Sequence, residues 1–200
     1  MSKEENNIHP EFDRQVSRES KEKLLGQKGL VIWLYGISGS GKSTIANAAE
    51  KVLHKQGRMT TILDGDNLRT GVNKNLGFSD DDRRENIRRA AHVARIFSNQ
   101  GIITFVSVIT PRHELRDLAR DTIGDDYFEV FVNASYALCE ERDVKGLYAK
   151  AALGEIKNFT GKDSAFEEPV APDLIIDTEG QSVEDSVFTL LEAIREKTSV

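Results

Sequence analysis

The eight residues Gly36-Ile37-Ser38-Gly39-Ser40-Gly41-Lys42-Ser43 constrain this chain more than any other segment. The apolar run Leu-Val-Ile-Trp-Leu-Tyr (30–35) leads into them, and a helix-forming stretch opened by Thr44 and running to Leu53 leads out. The pattern G-x-x-x-x-G-K-[ST] between a strand and a helix is the sequence context of a phosphate-binding loop. Its glycines let the backbone curl so that N–H groups face an anion, and the following helix adds its positive N-terminal end. Lys42 is then placed to reach the β- and γ-phosphates and Ser43 to offer its hydroxyl to Mg²⁺. Residues Gly36 to Thr44 are therefore the candidate triphosphate site. A turn that only linked strand to helix would need no Lys and Ser after its last glycine.

From residue 30 onward apolar strands alternate with amphipathic helices. Strands are expected at 30–35, 59–63, 102–108, 127–132 and 173–177, and helices at 43–56, 80–99, 112–122, 135–141 and 183–196. This alternation predicts an α/β fold: a three-layer P-loop NTPase-type domain with a parallel sheet flanked by helices. Ser79 is a candidate N-cap for the longest helix, with Asp80, Asp81 and Asp82 in its positive first turn. Residues 1–28 read as a polar N-terminal extension, within which Ser17 to Leu25 can form a short helix packed on the body or on a partner. Residues 29–200 are expected to form the P-loop domain. The stretch of about 145–172 carries Gly146, Gly154, Gly161, Pro169 and Pro172 and reads as a partly helical lid segment.

The 200 residues suit one domain rather than two, and the 38% of apolar residues suffice for a core. A formal charge of −6 gives no general attraction to nucleic acid or anionic membrane, so an anionic ligand needs local basic groups. No apolar run is long enough to span a bilayer and the first residues lack a secretory pattern, so the expected location is the cytoplasm. Asn133-Ala134-Ser135 and Asn158-Phe159-Thr160 are then not glycosylation sites. The single cysteine, Cys139, excludes an internal disulfide and reads as a small buried hydrophobe.

Two further constellations carry chemistry. The second strand ends in Leu63-Asp64-Gly65-Asp66-Asn67-Leu68-Arg69, and ligands of open α/β sheets bind beyond the carboxyl ends of strands. A carboxylate there can accept a proton from an attacking hydroxyl or hold the water shell of a metal, and Arg69 can hold a second anion. Asp64 and Asp66 are both candidates. The later strands lack a Walker B ending, which makes this turn the source of the metal-side carboxylate. The absence of N-K-x-D argues against a GTPase. The third constellation is Asp82-Arg83-Arg84-Glu85-Asn86-Ile87-Arg88-Arg89. Arg83 and Asn86 share a helix face and can act together, whereas Arg84, Arg88 and Arg89 fit a solvated face with Glu85 paired to Arg88 or Arg89.

Taken together, six segments make the chain resemble the adenylylsulfate (APS) kinase family: Gly36 to Thr44, Leu63 to Arg69, Asn73 to Ser79, Asp82 to Arg89, Lys145-Gly-Leu-Tyr148 and Lys157-Asn-Phe-Thr-Gly161. The resemblance spans about residues 29–194. It implies an ATP-dependent kinase acting on the ribose 3′-hydroxyl of adenosine 5′-phosphosulfate to give PAPS in sulfate activation, with Mg²⁺ and with no nucleic-acid or membrane partner. A homodimer is also implied. By matching position, Asp66 is the implied base or metal-water ligand. Arg69, Phe78, Arg83 and Asn86 are the implied holders of APS, and Ile109 lines the same pocket. Lys145 and Phe159 belong to the lid, with Phe159 stacking on the adenine opposite Phe78. Arg142 lies where the family contacts the ATP adenine. Thr110 stands at the family's phosphoserine position, but direct transfer needs no such intermediate. After Pro111 the family often has Tyr-Arg, where this chain has Arg112-His113.

Two other classes remain open on the residues themselves. One is a different small-molecule P-loop kinase of nucleoside or shikimate type, and the other is an ATP-binding module without catalysis. The set of Phe78, Arg83, Asn86 and Phe159 favours an anionic, nucleotide-like acceptor over the first. The presence of Lys42, Ser43 and Asp66 argues against the second.

Overall fold

Strand β1 (Leu30–Tyr35) is apolar at every position because it runs through the middle of a parallel sheet covered on both faces. The computed structural model describes residues 9, 11, 14–156, 159–162 and 164–200. Within them β1 is flanked by β3 (Ile103–Ser107) and β4 (Tyr127–Asn133), with β2 (Thr60–Asp64) and β5 (Leu174–Asp177) at the edges. All four pairings are parallel and the order is β2-β3-β1-β4-β5. Among the described residues no helix is long and apolar enough to cross a membrane.

The alternation of side chains along β1 builds two cores. Leu30, Ile32 and Leu34 pack with α2 (Lys42–Lys55) and α8 (Val183–Thr198) through Ile45, Ala49, Leu190 and Ile194. Val31, Trp33 and Tyr35 face the other way, onto α4 (Asp80–Ser98) and α5 (His113–Ile123) through Ile87, Ala91, Leu115 and Ala119. The cap predicted for α4 is present, with the Ser79 hydroxyl accepting from the Asp82 amide. Three short helices complete the fold: α3 (Gly65–Thr70), α6 (Tyr136–Arg142) and α7 (Leu147–Ala152).

The polar N-terminal stretch is docked where it is described. In α1 (Arg18–Leu25) the Arg18 guanidinium donates to both carboxylate oxygens of Asp126, to Glu22 and to the Gly29 carbonyl. The fully buried Gln27 amide bonds Met59 through both its backbone groups and also the Gly101 carbonyl. Residues 17–28 thus close the N-terminal end of the sheet, while residues 1–8, 10, 12 and 13 of the expected extension lie outside the described residues.

The order places the carboxyl ends of β2, β3, β1 and β4 along one rim. The strand order reverses at β1, with β3 and β2 added on one side and β4 and β5 on the other, and an open α/β sheet forms its crevice at such a point.

Candidate functional site: a phosphate loop facing a donor-rich surface

Gly36 leaves β1 with φ 152°. A Cβ there would lie 2.4 Å from the Val132 carbonyl oxygen, so the close turn against β4 requires glycine. Gly39 and Gly41 follow with φ of 81° and 104°, and Lys42 opens α2. The loop is braced from three sides. The Gly36 amide donates to the Ile109 carbonyl at 3.3 Å, which ties it to the turn after β3. The Tyr148 hydroxyl of α7 donates to the Ser38 carbonyl at 2.7 Å. Thr178, after β5, donates its hydroxyl to the Ser40 carbonyl at 3.0 Å. Thr44 is exposed at the first turn of α2. Cys139 is fully buried, as its sequence context implies, and packs against Gly39.

Lys42 lies inside this loop. Its ammonium donates to the Gly36 and Ile37 carbonyls at 2.9 and 2.7 Å. Burial disfavours the charged form and pulls its pKa down to about 8 from the usual 10.5. A triphosphate in the loop favours the ammonium again, so nucleotide binding above pH 8 must take up a proton. The expected result is that ATP affinity weakens as pH rises above 8, by about tenfold at pH 9, where one ammonium in roughly ten remains. Titration calorimetry at pH 7, 8 and 9 checks this; a flat profile contradicts it, and Lys42→Arg, which stays charged, should be flat. The same depression makes the folded chain bind fewer protons than the unfolded one between pH 8 and 10.5. This group therefore adds stability as pH rises through that window.

The two candidate aspartates are separated by the fold. Asp64, the last residue of β2, accepts from Ser43 Oγ at 2.7 Å through one oxygen and from the Asp66 amide at 2.9 Å through the other. It is at once the cap of α3 and the carboxylate beside the loop. Ser107, paired with Asp64 in the sheet register, brings its hydroxyl to 3.0 Å from Ser43 Oγ. Asp66 lies on the exposed side of α3 and pairs with Lys145 at 2.5 Å, which links the β2–α3 turn to the segment before α7. The carboxylate touching Ser43 is thus Asp64, and the one paired with Lys145 is Asp66.

Beyond Asp66 lie the remaining residues that the sequence singled out. Arg69 donates to the Leu76 and Gly77 carbonyls and lies 4.3 Å over the Phe78 ring, which is 63% exposed. Burial lowers the Arg69 pKa, and likewise that of Arg83. Arg83 donates to the Phe78 carbonyl and, across 77 residues of chain, to Thr160 Oγ1 at 3.0 Å. Asn86, one turn further along α4, is buried and accepts from Asn73 Nδ2 at 2.9 Å. Phe159 packs edge-on against Tyr148, with ring centroids 4.9 Å apart, in a cluster with Ile37 and Cys139. Lys157 and Asn158 of the same motif lie outside the described residues.

Three further sequence candidates have defined partners. Thr110 is 1% exposed, has φ 43°, and its hydroxyl accepts from the Trp33 indole at 3.0 Å within the α4–α5 core. Arg142 binds the Thr178 carbonyl at 2.7 Å and hydroxyl at 3.1 Å, beside Gly39. Glu85 pairs with both Arg88 and Arg89; Arg88 is half-exposed on the ion-paired face, whereas Arg89 also donates to the Val72 carbonyl and to Asn75 Oδ1. Asn73, Ser107, Tyr148 and Thr178 were given no role from sequence. Ser107 was the most detectable, as a polar residue ending a buried strand. A cleft of about 520 Å³ opens between the end of β4 and residues 161, 162 and 164–168, beside Ile37 and Phe166, and is bordered by neither Asp64 nor Asp66.

A phosphate loop at the switch point of a 2-3-1-4-5 parallel sheet, with a carboxylate on its Ser43 and a donor-rich surface beyond, defines a P-loop kinase-type phosphotransferase. Comparison with known proteins narrows the class. The family model described as adenylylsulphate kinase matches residues 28–177, and the chain belongs to that family. It is 55% identical over 197 residues to an adenylyl-sulfate kinase of Bacteroides fragilis, covering 98% of each chain. Among solved structures it resembles the APS kinase of Mycobacterium tuberculosis in complex with AMPPNP and APS, with a TM-score of 0.81 and 43% identity, covering 84% of this chain and 98% of that one. A hexameric APS kinase from Thiobacillus denitrificans aligns with a TM-score of 0.64 and 28% identity, over 86% of this chain and 30% of that one.

Proposed function

We propose that this protein transfers the γ-phosphoryl group of ATP to the ribose 3′-hydroxyl of adenosine 5′-phosphosulfate, giving PAPS and ADP in sulfate activation. The observation that carries the reading is the cluster of Arg69, Phe78, Arg83 and Asn86 beside Asp66, within a fold whose relatives are named adenylyl-sulfate kinases. APS combines a flat base with a doubly anionic tail. Phe78 offers an exposed ring for the base and Phe159, held edge-on by Tyr148, the opposite wall. Arg83 and Asn86 address the tail with N–H donors, and Ile109 walls the pocket beside the phosphate loop.

In this reading the 36–44 loop and Lys42 hold the transferring phosphate, and Arg142 sits at the ATP adenine. Asp66 accepts the proton of the 3′-hydroxyl, and Lys145 holds that carboxylate in place until the acceptor arrives. The oxygen donors of Ser43, Asp64 and Ser107 suit Mg²⁺, which keeps several waters and takes few protein ligands. When bound there, such an ion would supply charge neutralisation for the phosphoryl transfer. Residues 145–172 serve as the lid that excludes water. Thr110 has its hydroxyl committed to Trp33, which supports direct transfer without a phosphothreonine. A cytoplasmic homodimer is proposed on family resemblance, and light scattering distinguishes two copies from the six of the Thiobacillus relative.

The deciding experiment is ADP release with ATP and APS, compared with nucleosides and shikimate as acceptors. Turnover confined to APS supports the proposal, and turnover with a nucleoside instead overturns it. Arg83→Ala sharpens the test. Loss of a hydrogen bond to a charged group costs about 1.5–3 kcal/mol, so APS should bind about ten- to 150-fold more weakly while ATP affinity holds. Equal losses for both nucleotides mean a folding defect, and no loss for either returns Arg83 to a surface role.

A further inference from the structure

Asn86 is an amide, and an amide has two chemically opposite ends. Only one of them suits an anion: Nδ2 donates, whereas Oδ1 repels a phosphosulfate oxygen. Nothing in α4 itself decides which end faces the acceptor. The deciding contact comes from outside the helix. Asn73, in the turn after α3, is fully buried, with its backbone N–H held by the Leu68 carbonyl at 2.8 Å. Its Nδ2 donates to Asn86 Oδ1 at 2.9 Å. That bond occupies the carbonyl end of Asn86 and turns Nδ2 outward, where among the described residues it has no hydrogen-bond partner and is not among the buried unpaired atoms.

The opposite arrangement is disfavoured. Asn73 Oδ1 has no partner in the structure. Turning both amides over would put the Asn73 NH₂ group in that unpaired position, and buried orphan donors are rarer than under-satisfied carbonyls. The loop carrying Asn73 is itself fixed from α4: Arg89 donates to the Val72 carbonyl and to Asn75 Oδ1 at 2.9 and 2.8 Å. Arg83 adds guanidinium donors one turn before Asn86.

We infer that Asn73 is a specificity-determining positioning residue: without touching the acceptor, it fixes the Asn86 amide so that a donor faces the anionic tail of APS. Asn73 has no solvent-accessible surface, so it acts only through Asn86. The inference rests on the reading of Asn86 as an APS contact, and the test separates the two.

Asn73→Asp replaces the clamp donor with an acceptor of nearly the same shape. Asn86 then turns its Nδ2 inward and presents Oδ1 to the anion. The expected result is a rise of at least about tenfold in the KM for APS, with the KM for ATP within about twofold of the parent. Asn86→Ala should raise the APS KM comparably. The double variant Asn73→Asp/Asn86→Ala should be no worse for APS than Asn86→Ala alone, because residues acting as a unit are not additive. A purely structural Asn73 gives a different pattern: losses for both nucleotides, or a full further loss for APS in the Asn86→Ala background. Either outcome overturns the inference, as does an unchanged APS KM in Asn73→Asp. Should Asn73→Asp fail to fold, Asn73→Leu frees the amide without burying a charge. It should raise the APS KM several-fold in the Asn86 parent and not at all in Asn86→Ala. If Asn86→Ala itself binds APS normally, the reading of Asn86 fails and the role of Asn73 fails with it.

Discussion

Lys42→Ala is expected to reduce phosphoryl transfer by at least about a hundredfold while leaving a folded protein. The lysine lies inside the phosphate loop, with its ammonium held by the Gly36 and Ile37 carbonyls, and in the proposed reaction it contacts the transferring phosphate. Removing a preorganised charge contact from such a site costs about 3–4 kcal/mol in the transition state. Stability should change little, because burial already disfavours this charge, as its pKa of about 8 records. The remaining braces of the loop, through Ile109, Tyr148 and Thr178, do not involve the side chain. Single-turnover transfer together with a thermal melt is the check. Near-parental turnover removes the loop from the chemistry, and a collapsed melt makes Lys42 structural.

Asp66→Asn and Asp64→Asn should fail differently. With Asp66 replaced, ATP affinity should persist while turnover falls by about a hundredfold or more, the usual contribution of a positioned general base. The Lys145 pair is exposed, so little stability is lost. With Asp64 replaced, the carboxylate on Ser43 and the acceptor for the Asp66 amide both lose charge. The expected defect is then in metal-dependent ATP binding as well as in rate. Mg²⁺ titrations of ATP affinity for both variants distinguish them. A dead Asp64 variant beside a fully active Asp66 variant assigns the chemistry to Asp64.

Several features of the architecture were legible because they are local. The strand at 30–35 is a continuous apolar run, and only a doubly covered parallel strand needs one. The helix from Asp80 was marked by Ser79 and three aspartates, and the cap bond is present. The six-residue α3 was not legible as a helix, since it is too short to show a period; Asp64 and Asp66 read only as an acidic turn. The stretch of about 145–172 was marked off by its glycines and prolines, but the Tyr148 bond to the phosphate loop was not legible, because it joins residues 110 positions apart.

The sequence by itself determined the phosphate loop, the alternating order of strands and helices, and the residue types of the arginine- and asparagine-rich start of α4. These follow from backbone freedom at glycine, from hydrophobic period and from charge, all of which act over a few residues. Only the tertiary structure decided which aspartate meets Ser43. That pairing depends on β3 lying between β1 and β2 and bringing Ser107 beside them. It likewise decided that Thr110 turns into the core against Trp33, that Arg83 reaches Thr160, and that Asn73 donates to Asn86. Hydrogen bonds are directional and fade within a few ångströms. Their partners are therefore set by how distant segments pack, which no local pattern of residues records.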